Sequence, residues 1–573
     1  MAIGIIVAVA IYGIVVFYVS NLAKKSGQST TQDFYIAGRS ATSIMMLGTV
    51  ALSIWSALAF YGYGAGIYRN GVGYFSGIPG ACLVGLYAST IMYRLWLLSK
   101  KYGYETPGDF MADRFYSPAY RWIVSLTCVI FVIPYISLQI IGVANGFEVV
   151  SSGKITFWVA VAILTVYILG HVLEGGSKSV VLADTVAGFS GVAILVISVI
   201  FMTKAILPGG LAEGTRIIME KSPDFLRHTG PYSSWIGTLG LSFSAGIAII
   251  AWPHIFVRSY MAKSAKVFLV MAAVFPLLET FAFSMFLIQA FLGRVAFPGL
   301  VGKAADNLVP MLALEYTPPI IAILLVVGVF AFGMSTADSQ LLVASSIIQK
   351  DIYENGLSKK GSGSQKDKIK FSKIALVIMM VLVLLVVKYR PAVLVDYAYK
   401  FSSPGFAQLM PAMIAGLYWS RATKEGAIVG TLAGVATVII TLFFYNPVKI
   451  VHPILWGLAV NTLLLIVVSY LTPPPPKEVQ ERIHGYLNSI FEKRNNSTTK
   501  VLLVLLAIVF LQGHVLSPYL PDKIVLGWMP LGYFNYVIYA VELAVLTYLF
   551  AKNQIAEDLD EEVDASGKVQ VSQ

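Results

Sequence analysis

The sequence has little charge and almost no cysteine. Asp, Glu, Lys and Arg make up 12% of its 573 residues, whereas 57% are hydrophobic, and this balance excludes an ordinary soluble globular protein. The two cysteines, Cys82 and Cys128, both fall inside apolar runs, so no disulfide framework is expected. The six histidines are scattered along the chain, which argues against a zinc site.

Catalytic motifs are also missing. The sequence contains no HExxH motif, no P-loop and no evident pair of nucleophile and base. Its longest hydrophilic breaks, 206–232, 350–370 and 472–499, are too short for a folded catalytic domain. We therefore expect a protein that is not an enzyme. A channel is disfavoured too, because "NGVGYFSG" is only superficially similar to a potassium filter and occurs once.

Apolar runs of about 20 residues, the length that crosses about 30 Å of hydrocarbon, recur from end to end. They predict an all-α polytopic membrane protein with about 15 transmembrane helices. The first run has no basic region before it and is long enough to span, so it is interpreted as a helix and not as a cleavable signal. The spans are predicted near 1–21, 43–68, 73–99, 118–148, 155–173, 180–206, 233–256, 266–293, 319–349, 371–389, 395–418, 425–446, 451–471, 500–516 and 525–551.

The net charge of +11 is interpreted as a topology signal. With the N-terminus outside, most of the 41 lysines and arginines fall on the cytoplasmic side, as the positive-inside rule requires. Nucleic acid is therefore not expected as a partner. We expect membrane lipid around the chain, a monomer or a loose oligomer, and a multi-pass location in the cell membrane.

The chain divides into segments by apolar pattern. The predicted segments are a peripheral helix with a cytoplasmic loop (1–42), core repeat 1 (43–206), core repeat 2 (233–418), peripheral helices (425–471), a cytoplasmic Pro-rich linker with an amphipathic stretch (472–499), C-terminal helices (500–551) and an acidic cytoplasmic tail (552–573).

Two spans, 43–68 and 233–256, are interrupted by small and hydroxyl residues and lie five spans apart. An odd offset turns the second copy upside down, so this spacing predicts a five-plus-five inverted repeat of the LeuT type, each half opening with a broken helix. The alternative is that Gly and Ser only permit close helix packing.

Five motifs together carry a resemblance to a known family. They are "DFYIAGRS" (33–40), "YETPGDFMADRF" (104–115), "GGSKSVVLAD" (175–184), "MSTADSQLLVASSIIQKDIY" (334–353) and "AQLMPAMIAGLYWSRATKEGAIVG" (407–430). Over roughly residues 1–470 the chain resembles the sodium:solute symporter family, which includes proline, pantothenate, monocarboxylate and sugar symporters. The resemblance implies a secondary active transporter that couples sodium to a small organic solute by alternating access. The solute would be a carboxylate such as a monocarboxylate, pantothenate or proline.

The run "FGMSTADSQLLVASS" (332–346) places many oxygens inside an apolar span. At 1.5 Å per residue, Ser335 lies about 24 Å from the outer end of its helix, near mid-membrane, at a depth comparable with 51–54. Carbonyls freed by an unwound helix and hydroxyls on a facing helix can replace the hydration shell of sodium. The alternative is that these hydroxyls bond back to carbonyls four residues earlier. The family resemblance implies a sodium site formed by Ala51, Ile54, Phe332, Ser335 and Thr336.

Three acidic residues are candidates for an ion pathway. Asp338 lies about one turn beyond Ser335, where a carboxylate costs at least about 2.5 kcal/mol; it either adds charge along the sodium exit or accepts a hydrogen bond from a neighbouring helix. The resemblance assigns Asp184 to the same exit. Glu279 lies near the centre of its span, and proton coupling, a sodium-site accessory or a structural hydrogen bond all remain open. The alternative functions are accordingly a proton-coupled symporter using Glu279 or a symporter-like membrane sensor.

The solute should bind at the midplane, between the two broken helices. No Lys or Arg within the membrane offers an obvious partner for its carboxylate, so the N-terminus of a half-helix would serve. The sequence Trp252-Pro253-His254 is interpreted as a kink that ends a helix. The candidate substrate residues are Ser53, Trp55, Ser56, Tyr135, Gln139, Ser242, Ser244 and Gly246.

Overall fold

The structure is a computed structural model, and it describes residues 1–25, 30–357, 364–389 and 398–555. These residues form helices joined by short connections, with one small hairpin in which β1 (Ile524–Val525) pairs antiparallel with β2 (Met529–Pro530). The predicted acidic tail beyond residue 555 and residues 358–363 of the expected 350–370 loop lie outside the described residues.

The principal helices are numbered in chain order. They are α1 (Ala2–Lys25), α2 (Ser43–Ile54), α3 (Leu58–Asn70), α4 (Val72–Tyr102), α5 (Pro118–Val150), α6 (Phe157–Leu173), α7 (Gly175–Ile206), α8 (Trp235–Ala251), α9 (Lys266–Ala296), α10 (Pro319–Gly356), α11 (Gln365–Tyr389), α12 (Met410–Tyr418), α13 (Lys424–Phe443), α14 (Pro453–Leu471), α15 (Ser497–Tyr519) and α16 (Leu531–Gln554).

Short helices connect them. They are Thr31–Ile36, Ala37–Arg39, Pro107–Arg114, Leu211–Lys221, Pro223–Leu226, Gly230–Ser233, Pro253–Arg258, Lys303–Asp306, Leu308–Tyr316, Ala398–Ser402, Ser403–Ala407, Lys477–Gln480, Glu481–Gly485, Tyr486–Phe491 and Glu492–Arg494.

The expected multi-pass membrane architecture is confirmed. Among the described residues, 11 helices are long and apolar enough to cross a membrane, and the bent pair α2 and α3 makes a twelfth span. The predicted number of fifteen is not confirmed. The shorter apolar helices α6 and α8 fall below that length, and the described part of the expected span 395–418 consists of two short helices followed by α12.

The first broken helix bends by 53° between α2 and α3. Trp55 leaves the helical region with φ −79° and ψ 64°, and the Ser56 N–H donates to the Ile54 carbonyl at 2.9 Å, which makes a tight turn. The helix resumes at Leu58 with one π-helical turn. The interruption predicted within 43–68 therefore lies at residues 55–57.

The second interruption has a different construction. α8 narrows to a 3-10 helix after Gly246 and ends at Ala251, and Trp252 is extended because it precedes Pro253. A Cβ on Gly246 would lie 2.0 Å from the Ala81 backbone nitrogen, so the two backbones are in direct contact here. At this break, the absence of a side chain serves close packing of α8 against α4.

Helix α10 forms the centre of the fold, with α5, α7 and α1 packed against it. Every residue from Val329 to Ser346 is buried, including its hydroxyl and carboxylate side chains. A helix covered on all sides must satisfy its polar groups against neighbouring helices, so these oxygens all face protein and not lipid.

A buried arginine joins the amphipathic segment 477–494 to the core at the cytoplasmic end. Arg114 donates to the carbonyls of Gly416 at 3.0 Å and Trp419 at 2.9 Å, and to Nε2 of His484 at 3.1 Å. Burial and the nearby Arg114 and Arg94 lower the pKa of His484 to about 4. His484 is therefore neutral at pH 7, and its ring accepts a hydrogen bond from Arg114.

Gly246→Ala should destabilise the protein, because the new methyl group would overlap the backbone of α4. Overpacking of this kind costs about 1–3 kcal/mol, measurable as a lower apparent melting temperature in detergent. Gly485→Ala is the matched control, since its Cβ would have only Glu481 Cβ as a neighbour, at 3.8 Å. Equal stability of the two variants would contradict the close contact of α8 with α4.

Candidate functional site

The predicted sodium residues meet where α10 passes the break of the first helix. The Thr336 hydroxyl lies 3.1 Å from the Leu52 carbonyl oxygen and 3.1 Å from the Phe332 carbonyl oxygen. The Thr336 hydroxyl therefore lies near the carbonyl four residues earlier in its own helix, as the back-bonding alternative predicts, and also near a carbonyl of the facing helix α2. The Ser335 hydroxyl is buried beside Asp184 and makes no hydrogen bond of ordinary geometry to a described residue.

The other three predicted ligands would contribute carbonyls. The Ala51 carbonyl accepts the Trp55 N–H at 2.7 Å, and the Ile54 carbonyl accepts the Ser56 N–H at 2.9 Å. A carbonyl oxygen has two lone pairs, so each of these keeps one for a further partner. The ring of Phe332 packs on Phe60, with the ring centroids 4.9 Å apart.

A buried ion pair lies close to this group. The Asp184 Oδ2 atom accepts from the Thr49 hydroxyl at 2.5 Å and lies 3.4 Å from Arg258 Nη2. The same guanidinium donates to the Ser339 hydroxyl at 2.7 Å and to the His254 carbonyl at 2.8 Å. Asp184 lies within α7, with 1% of its surface exposed.

Arg258 corrects the expectation that no basic side chain within the membrane part is available to a carboxylate. It is 2% exposed and pairs with a carboxylate of the protein itself. The sequence does not predict that Arg258 is buried, because this residue lies two positions after the expected span 233–256, where a cytoplasmic loop is expected. Arg258 contacts residues of three other helices, and such contacts form only in the tertiary structure. No local sequence pattern predicts them.

Asp338 also has a partner. Its Oδ2 atom lies 2.5 Å from His171 Nδ1 on α6, and His171 Nε2 lies 2.9 Å from the Ser179 hydroxyl. Its Oδ1 atom has no hydrogen-bond partner among the described residues. Asp338 therefore bonds to a neighbouring helix through Oδ2, as the second alternative predicted, while Oδ1 has no partner among the described residues.

Glu279 on α9 connects to the first break. Its Oε2 atom accepts from the Trp55 indole N–H at 2.7 Å, whereas Oε1 has no partner in the described part of the chain. The side chain is fully buried. The structural hydrogen bond that was one of the open alternatives for Glu279 is therefore present, and its Oε1 atom remains available to another partner.

The predicted residues on α5 face the end of α8. The Tyr135 ring lies 5.1 Å from the Trp252 ring in an edge arrangement, and its phenol is beside Ser56. Both amide atoms of Gln139 and the Trp252 indole nitrogen are buried without hydrogen-bond partners among the described residues, and the buried His254 ring lies 5.8 Å from the Trp252 ring and beside the Ser53 backbone. Buried polar groups are rarely left unpaired, so their concentration here indicates a site for a ligand or water.

Trp252 and His254 were not predicted for this site. Their sequence was interpreted as a kink, and the helix does end there; the extended backbone of Trp252 turns the indole toward Tyr135.

The remaining predicted substrate residues are engaged elsewhere. Ser53 donates to the Thr49 carbonyl at 2.8 Å, Ser242 donates to the Ser76 carbonyl at 2.5 Å, and Ser244 donates to the Tyr399 carbonyl. Gly246 is pressed against α4. Among the predicted substrate residues, Tyr135 lies beside Ser56, Trp55 adjoins Ser56 in the chain and Gln139 follows Tyr135 by one turn of α5. Ser53, Ser242 and Ser244 donate to backbone carbonyls, and Gly246 contacts α4.

An outer cavity of about 570 Å³ lies above this polar group. Its lining includes Arg69, Lys400, Lys449 and His452, and the described lining residues include no Asp or Glu. Arg69 is paired with Asp306 at 2.9 Å. Tyr399, whose carbonyl accepts the hydrogen bond from Ser244 on α8, also lines the cavity.

A charge cluster lies at the predicted cytoplasmic end of α10. Lys350 lies 3.0 Å from Glu105 and 2.9 Å from Asp109, while Arg121 lies 2.8 Å from Asp109 and 2.5 Å from Asp351. These pairs tie α5 and the end of α10 to the short helix Pro107–Arg114.

Two known transport proteins are similar to this chain in sequence. The sodium/pantothenate symporter of Haemophilus influenzae is 27% identical over 480 residues, covering 80% of this chain and 95% of that protein. The high-affinity proline transporter PutP of Bacillus subtilis is 26% identical over 493 residues, covering 81% of this chain and 97% of that protein.

A solved structure shares the fold. A Na+-coupled sialic acid symporter in a substrate-bound outward-open state matches with a TM-score of 0.67 at 17% identity, covering 82% of this chain and 98% of that chain. The model of the sodium:solute symporter family matches residues 34–434, which is most of the sequence. The resemblance noted in the sequence is confirmed: the chain belongs to the sodium:solute symporter family and is a multi-pass transport protein of the cell membrane.

Proposed function

We propose that this protein is a secondary active transporter that carries a small organic carboxylate together with sodium by alternating access, within a LeuT-type five-plus-five inverted repeat. The observation that carries the proposal is the position of Thr336 on the Leu52 carbonyl, with the buried Ser335 hydroxyl next to it in the chain and beside Asp184. A break in one helix and two adjacent hydroxyls on a facing helix supply the kind of oxygens that a sodium ion requires.

In this proposal, sodium binds to carbonyls of Ala51, Ile54 and Phe332 and to the hydroxyls of Ser335 and Thr336. The assignment is supported by the lone pair that remains on each of the Ala51 and Ile54 carbonyls. It is also supported by the Ser335 oxygen, which makes no hydrogen bond of ordinary geometry to a described residue. Sodium entering the cell down its gradient gains about 2.3 kcal/mol per 100 mV of membrane potential, in addition to its concentration difference.

The solute would bind beside the break, between Trp55, Ser56, Tyr135 and Gln139. Trp252 and His254 complete the proposed pocket from the end of α8, because the Trp252 indole nitrogen is buried without a partner among the described residues and the His254 ring lies 6.4 Å from the Tyr135 ring. Aromatic faces with a few unpaired donors and acceptors are typical of small-molecule sites.

The charge of the outer cavity favours an anionic solute. Arg69 is paired with Asp306, but Lys449 also lines the cavity, and a basic lining residue attracts anions and raises their local concentration. The names of the relatives include pantothenate, a carboxylate, and proline, an amino acid with a carboxylate. We therefore propose a small carboxylate as the solute.

Asp184 would lie on the sodium exit path, below Ser335. Its pairing with Arg258 keeps the carboxylate in place and partly neutralised, so an arriving sodium ion would compete with the guanidinium for it. Asp338, whose Oδ2 atom is held by His171, lies about one helical turn beyond Ser335 and would place a second carboxyl group on the same path.

Proton coupling through Glu279 is the second candidate. It is supported by the environment of the carboxyl group, which is fully buried. Its Oε2 atom accepts a hydrogen bond from Trp55 at the break, whereas Oε1 has no partner among the described residues. A buried carboxyl that binds and releases a proton could bias the break between two positions.

Uptake into proteoliposomes distinguishes these mechanisms. We expect an imposed inward sodium gradient to drive uptake of at least one of proline, pantothenate, lactate or acetate, with a sugar as the uncharged comparison. A proton gradient alone should drive little uptake, and Glu279→Gln should keep sodium dependence. Uptake driven by protons without sodium, and abolished in Glu279→Gln, would instead support proton coupling.

Removing the proposed hydroxyl ligands should weaken sodium activation. We expect Ser335→Ala and Thr336→Ala each to raise the sodium concentration for half-maximal uptake about 10-fold or more, because a polar contact to a charged group contributes about 1.5–3 kcal/mol. Ser345→Ala is the matched control, since its hydroxyl bonds to the Leu342 carbonyl in the same helix. Unchanged sodium activation in the first two variants would exclude these ligands.

The buried pair Arg258 and Asp184 should show strong coupling in stability. Arg258→Gln alone leaves a buried carboxylate without its cation and should reduce the free energy of unfolding by about 3–5 kcal/mol. The double variant Arg258→Gln with Asp184→Asn should lose less than the sum of the two single variants. Thermal unfolding in detergent measures this, and additive losses would show that the ion pair contributes no coupling energy.

A further inference from the structure

A second cavity lies at the cytoplasmic side, away from the proposed transport pathway. It has a volume of about 730 Å³ and lies between α4, α12, the amphipathic segment and the C-terminal helices α15 and α16. Its lining is divided into two kinds of residue. Ile414, Leu417, Leu503 and Phe550 form apolar walls, whereas Arg94 is joined by polar residues such as Asn488 and Asn495.

Arg94 has an unusual environment for a cation. Its guanidinium carbon lies 3.6 Å from the centre of the Phe491 ring and 4.6 Å from that of Tyr418, and Nε donates to the Tyr418 hydroxyl at 3.0 Å. No carboxylate of a described residue lies within 4.0 Å of it, and its two terminal nitrogens donate to none of the described residues. The rings hold the guanidinium plane in one orientation, with its outer edge available to a ligand.

The remaining titratable residues of the cavity do not neutralise Arg94. His484 is neutral at pH 7 because its pKa is lowered to about 4 by burial, Arg114 and Arg94. Glu492 is exposed on the amphipathic segment. A planar cation with two unused N–H edges is suited to the oxygens of a phosphate.

The depth of Arg94 corresponds to the lipid headgroup region. It lies eight residues before the end of α4 at Tyr102, or about 12 Å at 1.5 Å per residue. Lys100 and Lys101 follow at the predicted cytoplasmic end of that helix. The guanidinium is therefore near the boundary between headgroups and acyl chains of the inner leaflet.

The cavity also opens toward lipid. Ile414 and Leu503 at its rim are 38% and 47% exposed, so the apolar walls continue into the lipid-facing surface. One π-helical turn of α4, Ala88–Met92, widens the helix where Ser89 and Thr90 line the cavity. A soluble anion would use only the polar end, whereas a phospholipid would use both ends.

We propose that this cavity binds one glycerophospholipid with an anionic headgroup from the cytoplasmic leaflet. Its phosphate pairs with Arg94, and one acyl chain lies along Leu503 and Phe550. The bound lipid joins the amphipathic segment and the C-terminal helices to α4. This site is independent of the proposed solute and sodium sites.

The test uses the purified full-length chain in detergent with phosphatidylglycerol, phosphatidylcholine and inorganic phosphate as separate probes. We expect native mass spectrometry to show one retained phosphatidylglycerol, and that lipid to raise the apparent melting temperature more than the other two probes. Arg94→Gln should weaken phosphatidylglycerol binding about 10-fold, the loss expected for a charge-assisted contact. Lys477→Gln, which removes an exposed charge from the same segment outside the cavity, should bind like the wild type.

Leu503→Trp provides a second variant that keeps the charge. It should fill the apolar end and reduce lipid retention while Arg94 is intact. Wild-type retention in Arg94→Gln would overturn the proposal, and so would equal retention of phosphatidylcholine. A shift with inorganic phosphate as large as that with phosphatidylglycerol would identify a soluble-anion site instead.

Discussion

The interruption of the first core helix at residues 55–57 is the feature on which the candidate site depends. Inside a membrane, a backbone group without a partner costs several kcal/mol, so a helix can break only where protein replaces the lost bonds. Here the turn closes on the Ile54 carbonyl, Thr336 reaches the Leu52 carbonyl, and Glu279 accepts from the Trp55 indole. The polar residues of α9 and α10 converge on this point because the break requires them.

The two interruptions have different consequences. Near the first, polar atoms of Gln139 and Glu279 have no partner in the described part of the chain, whereas the second is closed by contact of Gly246 with α4 and by serine hydroxyls that donate to carbonyls. Close packing removes space for a ligand, and unpaired polar atoms retain it. The proposed solute pocket is therefore formed mainly by the first break and by the end of α8 after the second.

Charged side chains in the core must also be paired with other groups of the protein, like the backbone groups at the first break. Asp184 is held by Arg258, and Asp338 is held by His171, each on a different helix. A buried ion pair such as Arg258 with Asp184 contributes little net stability, but separating the partners leaves an uncompensated buried charge, so the arrangement in which they meet is favoured. Such pairs suit a protein whose helices must return to defined positions, and the cluster around Lys350 does the same at the cytoplasmic end.

The sequence alone determined the all-α multi-pass architecture, the region of the first break and the polar face that carries Ser335 and Thr336, because apolar length and small-residue clusters are local properties of the chain. Only the tertiary structure decided the partners: Arg258 for Asp184, His171 for Asp338, and Trp252 with His254 beside Tyr135. It also assigned Ser242 and Ser244 to packing, and it gave helix lengths that do not confirm fifteen spans. Those outcomes depend on which helices face each other, and residues distant in sequence carry no periodic signal of that pairing.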